Sequence, residues 1–266
     1  MQATADQPEH SDRPHGVPEF RRPSWSLLIE ALKQGWVDFW LAPGLGLFFA
    51  LIYVAIGLGI SWLTLSTGQS FWLVLAAISF PLIGPFAAIG LYEVSHRIEQ
   101  GSPLDKREIF GVVWRQRGRQ LPWLCAIIVI LFLFWFFVGH MIFALFLGLS
   151  AMTNVSTSLE VYLSSQGLSM VAVGTLVGAG FALVLYSFSV LSLPLVLDRE
   201  VDFVTAMLRS IAVVRDNPVV MLMWGALLAV LVFLAMLPAF LGLLVVFPWL
   251  SHASWHVYSL MRVERT

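Results

Sequence analysis

Charge is what this sequence has least of: 12% of its 266 residues are Asp, Glu, Lys or Arg, about half the share of an average soluble domain. With 59% apolar content beside it, that scarcity excludes an ordinary soluble fold, which could not hide several apolar runs of about 20 residues. Cysteine is almost absent. Cys125 stands alone inside an apolar run, so an intramolecular disulfide and a cysteine metal cluster are both excluded, and it reads as packing. Residues 1–23 are polar and lack an apolar stretch, which excludes a secretory signal peptide. They are expected to form a disordered cytoplasmic tail, in which His10 and His15 are too isolated for a His-rich metal tract.

Catalytic and nucleotide motifs are missing too. There is no phosphate loop, no G-x-G-x-x-G after a strand, no G-x-S-x-G elbow and no H-E-x-x-H pair. The apolar runs hold almost no carboxylates, so acid–base or nucleophilic chemistry has no evident seat and a non-enzymatic protein is expected. Nothing points to nucleic acid.

What is present is long apolar sequence. Uncharged runs at 44–65, 71–92, 122–149 and 168–197 are each long enough to cross about 30 Å of hydrocarbon as a helix. The stretch 219–261 is about twice the length of one span, and Pro238 near its middle would turn it into two. Six spans with the N-terminus inside put 66–70, 150–167 and the Pro238 turn outside, and none of these contains Lys or Arg. That is the charge bias of an inner-membrane protein with both termini cytoplasmic. The sequence therefore predicts an all-α, polytopic transmembrane helical bundle over 24–266.

Three segments before outward-going spans have amphipathic helical spacing and end in proline. The first carries Trp25, Leu28, Ile29, Leu32, Trp36, Phe39 and Trp40 behind Ser24 as N-cap. The second opens with capping-box spacing from Asp105 to Glu108 and continues through Ile109, Phe110, Val113 and Trp114. The third carries Phe203, Val204, Met207, Leu208, Ile211 and Val214. Aligning Pro43, Pro122 and Pro218 places Ala31, Phe110 and Ala206 at one offset, and Pro81, Pro194 and Pro248 punctuate the return spans. This predicts a three-fold repeat of interfacial helix plus hairpin. The aromatic residues would rest at the acyl boundary, with Lys and Arg facing anionic headgroups of the inner leaflet.

Ionisable residues inside spans are costly and mark candidate sites. His252 and His256 lie four apart, on one helical face, and His140 lies in the third run. Together they are the candidate metal ligands, for haem or copper; imidazoles bonded to neighbouring backbone or side chains are the alternative, with no cofactor. Glu93 and Arg97, one turn apart, are a candidate ion or proton site or an interfacial salt bridge. Gly174 and Gly178 permit close helix approach. Asp198, Arg199, Glu200 and Asp202 are placed to stop a span and cap the next helix. Asn154 and Ser156 match a glycosylation pattern that matters only in a eukaryotic secretory pathway.

Several strings resemble one family: 43–46, 81–101 with Gly84, Pro85, Gly90, Leu91, Tyr92, Glu93 and Arg97, 194–198, Asn217 and Pro218, and Pro248, His252, Ala253, Ser254, Trp255, His256 and Tyr258. They are similar to bacterial integral membrane proteins catalogued as domain of unknown function 2189, across 25–262. The resemblance implies no established activity. Some members are labelled putative cytochrome c oxidase subunit, and the few histidines and six spans here do not fit oxidase catalysis. The expected role is transport-related or structural, with a membrane-protein partner as one option. The alternative is a haem- or copper-binding accessory or assembly protein of a respiratory complex.

Overall fold

The computed structural model describes residues 14–68, 72–148 and 159–263, with backbone alone for 72–83 and 159–160. In chain order these form β1 (Glu19–Phe20), α1 (Trp25–Leu41), α2 (Pro43–Thr67), α3 (Trp72–Glu99), α4 (Lys106–Gln116), α5 (Leu121–Leu147) and a short α6 (Leu159–Leu163). Then come α7 (Ser165–Ser189), α8 (Ser192–Asp198), α9 (Phe203–Asp216), α10 (Pro218–Met236), α11 (Leu243–Met261) and β2 (Arg262–Val263).

Local chemistry starts and stops the three amphipathic helices in the same way. Ser24 Oγ accepts from Leu27 N at 3.2 Å, Asp105 from Arg107 N at 2.7 Å and Asp202 from Thr205 N at 2.9 Å. Each cap satisfies an orphan donor and contributes about 1 kcal/mol. Pro43, Pro122 and Pro218 sit in the first turns of α2, α5 and α10, where a missing N–H breaks no helical bond. The expected capping box of α4 does not close, because Glu108 turns to Arg97 at 2.5 Å.

The amphipathic faces divide between protein and surroundings. Helix α1 buries Leu27, Leu28, Ala31, Gly35, Asp38 and Phe39, and α9 buries Ala206, Ser210, Val213 and Val214. Trp25, Ile29, Trp36, Trp40, Leu208 and Ile211 stay exposed. Small residues face the bundle because the helices cross closely. A Cβ on Gly35 would lie 2.5 Å from the backbone nitrogen of Ala253 in α11.

Among the described residues four helices are long and apolar enough to cross a membrane: Pro43–Thr67, Leu121–Leu147, the continuous Ser165–Asp198 and Pro218–Met236. The expectation of six is met by four, and α3 and α11 are the two outside that set. Physical reason for α11 lies in its surroundings. It packs against α1, α2, α3 and α10 and buries Ser251, His252 and His256 along with Trp255, Val257 and Tyr258. A helix sheathed by other helices needs no lipid-compatible surface and can carry polar groups. The outer helices show the opposite pattern, and only 6% of the apolar window in α7–α8 is buried. The stretch 219–261 does break beside Pro238, where Ala239 and Phe240 turn the chain with φ of 51° and 63°.

The largest core cluster joins Ala31, Ile89, Leu121, Leu191, Trp224, Trp255 and Tyr258. Cys125 is buried within it. The break between α7 and α8 is bridged from α9: the Ser210 hydroxyl donates to Ser187 O at 2.7 Å and accepts from Leu191 N at 3.1 Å.

The tail expected through residue 23 is ordered in its last part. Gly16 N donates to Glu200 O, Glu200 N to Pro14 O and Arg21 N to Met261 O, and β1 pairs antiparallel with β2. Backbone partners at the far end of the chain offset the entropy of ordering this polar segment. His10, Asn154 and Ser156 lie outside the described residues.

Candidate functional site

Buried polar side chains concentrate where the ends of α3, α8 and α11 meet α1 and α4. On α1 the buried face runs Leu28, Ala31, Gly35, Asp38, so a helical period carries the Asp38 carboxylate inward until it is 3% exposed. It meets His256 of α11, whose Nε2 lies 2.7 Å from Asp38 Oδ2. The other ring nitrogen, Nδ1, is 3.8 Å from Glu99 Oε1 at the end of α3. Glu99 is held in turn by Trp255 Nε1, which donates to Oε2 at 3.1 Å, and by the Ser259 hydroxyl. Two carboxylates thus flank one imidazole, and a buried charge is tolerated only with such partners.

One turn earlier, His252 Nδ1 shares a 2.8 Å hydrogen bond with the Ser95 hydroxyl of α3, while His252 Nε2 is buried without a partner among the described residues. His252 and His256 lie on adjacent turns of α11 as their spacing predicts, yet they bond to different helices. His140 is not brought to them. It is exposed on α5, with Nδ1 bonded to Phe136 O at 2.8 Å. Among the described residues no group of three or more His, Cys, Asp or Glu side chains is placed to hold a metal ion.

Glu93 and Arg97 form the i,i+4 pair their spacing predicts, at 2.7 Å. Arg97 also reaches Glu108 and donates to Pro103 O at 3.1 Å, so it ties α3 to α4. Both residues wall a cavity of about 530 Å³ that is lined by four arginines, Arg97, Arg115, Arg199 and Arg262, and by the carboxylates Glu93, Glu108 and Asp198. Of the charged cluster at 198–202, Asp198 ends α8. It is buried and accepts from Tyr258 Oη at 2.6 Å and from Arg262 at 2.8 Å. The cap of α9 is Asp202, and Glu200 pairs with Arg119.

Asp38, Ser95 and Glu99 were not singled out by sequence. Asp38 left a signal there, as a carboxylate in register with the buried face of an amphipathic helix. The pairing with His256 left none, because 218 residues separate the two.

Residues 73–198 match the model of the family described as "Predicted integral membrane protein (DUF2189)". Over that stretch, a little under half of its length, the chain is similar to that family. The match runs from α3 to the end of α8, so it takes in Ser95, Glu99, Asp198 and the Glu93–Arg97 pair and stops short of α1 and α11. No curated protein and no solved structure matches the chain.

Proposed function

We propose that this integral membrane protein is a transport-related component of a bacterial inner membrane. In this reading α2, α3, α5, α7–α8, α10 and α11 all cross, and both termini are cytoplasmic. Three observations support the architecture: the common cap-and-proline grammar of α1, α4 and α9, the break at Pro238, and the length of α11. Its 19 residues span about 28 Å at 1.5 Å per residue, close to the hydrocarbon thickness. The same grammar supports three repeats of interfacial helix plus hairpin.

The observation that carries the transport reading is the Asp38–His256–Glu99 chain, in which Asp38 and His256 are buried and Glu99 opens at the exposed end of α3. Ionisable groups enclosed between membrane helices mark proton or ion paths, and an imidazole between two carboxylates can take a proton on one nitrogen and release it from the other. Away from this end Val54, Ala235 and Leu243 form a buried apolar cluster.

The test is proton entry into liposomes holding the purified protein, driven by a potassium diffusion potential and read by an internal pH dye. Wild type should acidify the lumen faster than protein-free liposomes, and Asp38→Asn, which keeps the side-chain volume, should fall to background. Wild-type flux no greater than that of protein-free liposomes would overturn the reading and leave a structural role. The unpartnered His252 Nε2 is the observation that favours a haem- or copper-binding accessory role instead. Stoichiometric metal or a haem band that disappears in His252→Ala would establish it.

A further inference from the structure

The cavity of about 530 Å³ between α3, α4, α8 and the C-terminal strand stands apart from the Asp38–His256–Glu99 chain and calls for a ligand of its own. Its carboxylates are already engaged. Glu93 and Glu108 are both bonded to Arg97, and Asp198 accepts from Tyr258 and Arg262.

Donors remain over. Arg199 Nε is buried without a hydrogen-bond acceptor among the described residues, and a carboxylate oxygen of Asp198 lies 3.5 Å away. Arg115 stands at the exposed rim with no ion pair among the described residues. His96 Nε2 is 2.9 Å from the amide nitrogen of Gln100, which can only donate, so the ring proton resides on Nδ1. That Nδ1 is buried and also lacks a partner among the described residues.

We propose that this cavity binds a phosphate group. Four arginines against three carboxylates leave a positive excess. A phosphate offers several acceptor oxygens to converging guanidinium and imidazole donors, and arginine matches that geometry better than lysine does. The volume exceeds bare phosphate and suits a small phosphorylated molecule or a phospholipid headgroup. The location suits either source, because the cavity lies at the bundle end that carries the interfacial helix α4.

Two measurements on the full-length protein in neutral detergent test the assignment. Calorimetric titration with inorganic phosphate reads the free anion. Native mass spectrometry after exposure to equal phosphatidylglycerol and phosphatidylcholine reads the headgroup. Arg115→Gln and Arg199→Gln should each weaken the binding at least tenfold, while Arg215→Gln, in an exposed pair with Asp216 outside the cavity, should leave it unchanged. Phosphate heat without lipid preference assigns a soluble phosphorylated ligand; phosphatidylglycerol retention without phosphate heat assigns a lipid. Absence of both overturns the proposal. So does binding that survives Arg115→Gln, whose rim position keeps the fold intact even if the Arg199 variant unfolds.

Discussion

Gly35 and Asp38 occupy one face of α1, and each is there because of α11. The glycine lets the two backbones approach until an added Cβ would stand 2.5 Å from Ala253 N, whereas a Cβ on Gly59 in α2 would meet nothing within 4 Å. Gly35→Ala should therefore destabilise the detergent-solubilised protein by about 1–3 kcal/mol, the usual cost of overpacking. Gly59→Ala should be neutral or stabilising by up to about 1 kcal/mol, because alanine favours helix. Thermal melts of the two variants beside wild type check this, and equal shifts would contradict the close crossing.

At this scale the sequence was half legible. Spacing placed His252 and His256 on adjacent turns and paired Glu93 with Arg97, because both relations are local. Which helix each imidazole would meet is a long-range matter. His140 lies apart from them, exposed on α5, because which side of an apolar run faces the bundle is likewise not a local matter. The charged cluster at 198–202 was legible in part: Asp202 caps α9 as its local placement implies, whereas the partners of Asp198, Tyr258 and Arg262, are decided by tertiary packing.

The interfacial helices were the most readable elements, since caps and prolines act within a few residues. Asp202 offers a direct check. The Thr205 side chain and backbone, both bonding the carboxylate, hold Asp202 below its ordinary value of 3.8. A carboxyl depressed on folding stabilises fully above its unfolded pKa and loses that contribution as pH falls through the folded one. Asp202→Ala should cost about 1 kcal/mol near neutral pH. The gap between variant and wild-type melting temperatures should stay constant from pH 7 to 5 and narrow below about pH 4. A gap that does not change with pH would show that the carboxylate charge is not what caps α9. Other elements were less legible. The α7–α8 break depends on Ser210 reaching across from α9, and the order in residues 14–23 depends on a strand at the opposite end of the chain.

For the whole molecule, composition was enough to establish a helical membrane protein, and charge placement suggested which ends share a side. It could not separate outer helices from inner ones. Apolar content identifies α2, α5, α7–α8 and α10, which face outward. Helix α11 escapes that criterion because its neighbours shield its polar side. The transport reading needs α11 inside the bilayer, so its two ends must lie on opposite sides. Single cysteines at Leu241→Cys, in the exposed turn before α11, and Val263→Cys, just after it, test this in a Cys125→Ala background. Each is labelled with a membrane-impermeant maleimide in right-side-out and inverted vesicles. The account predicts that Cys at 241 reacts only from the outside and Cys at 263 only from the inside. Labelling of both from the same side would mean that α11 does not cross, and the six-span account would fail.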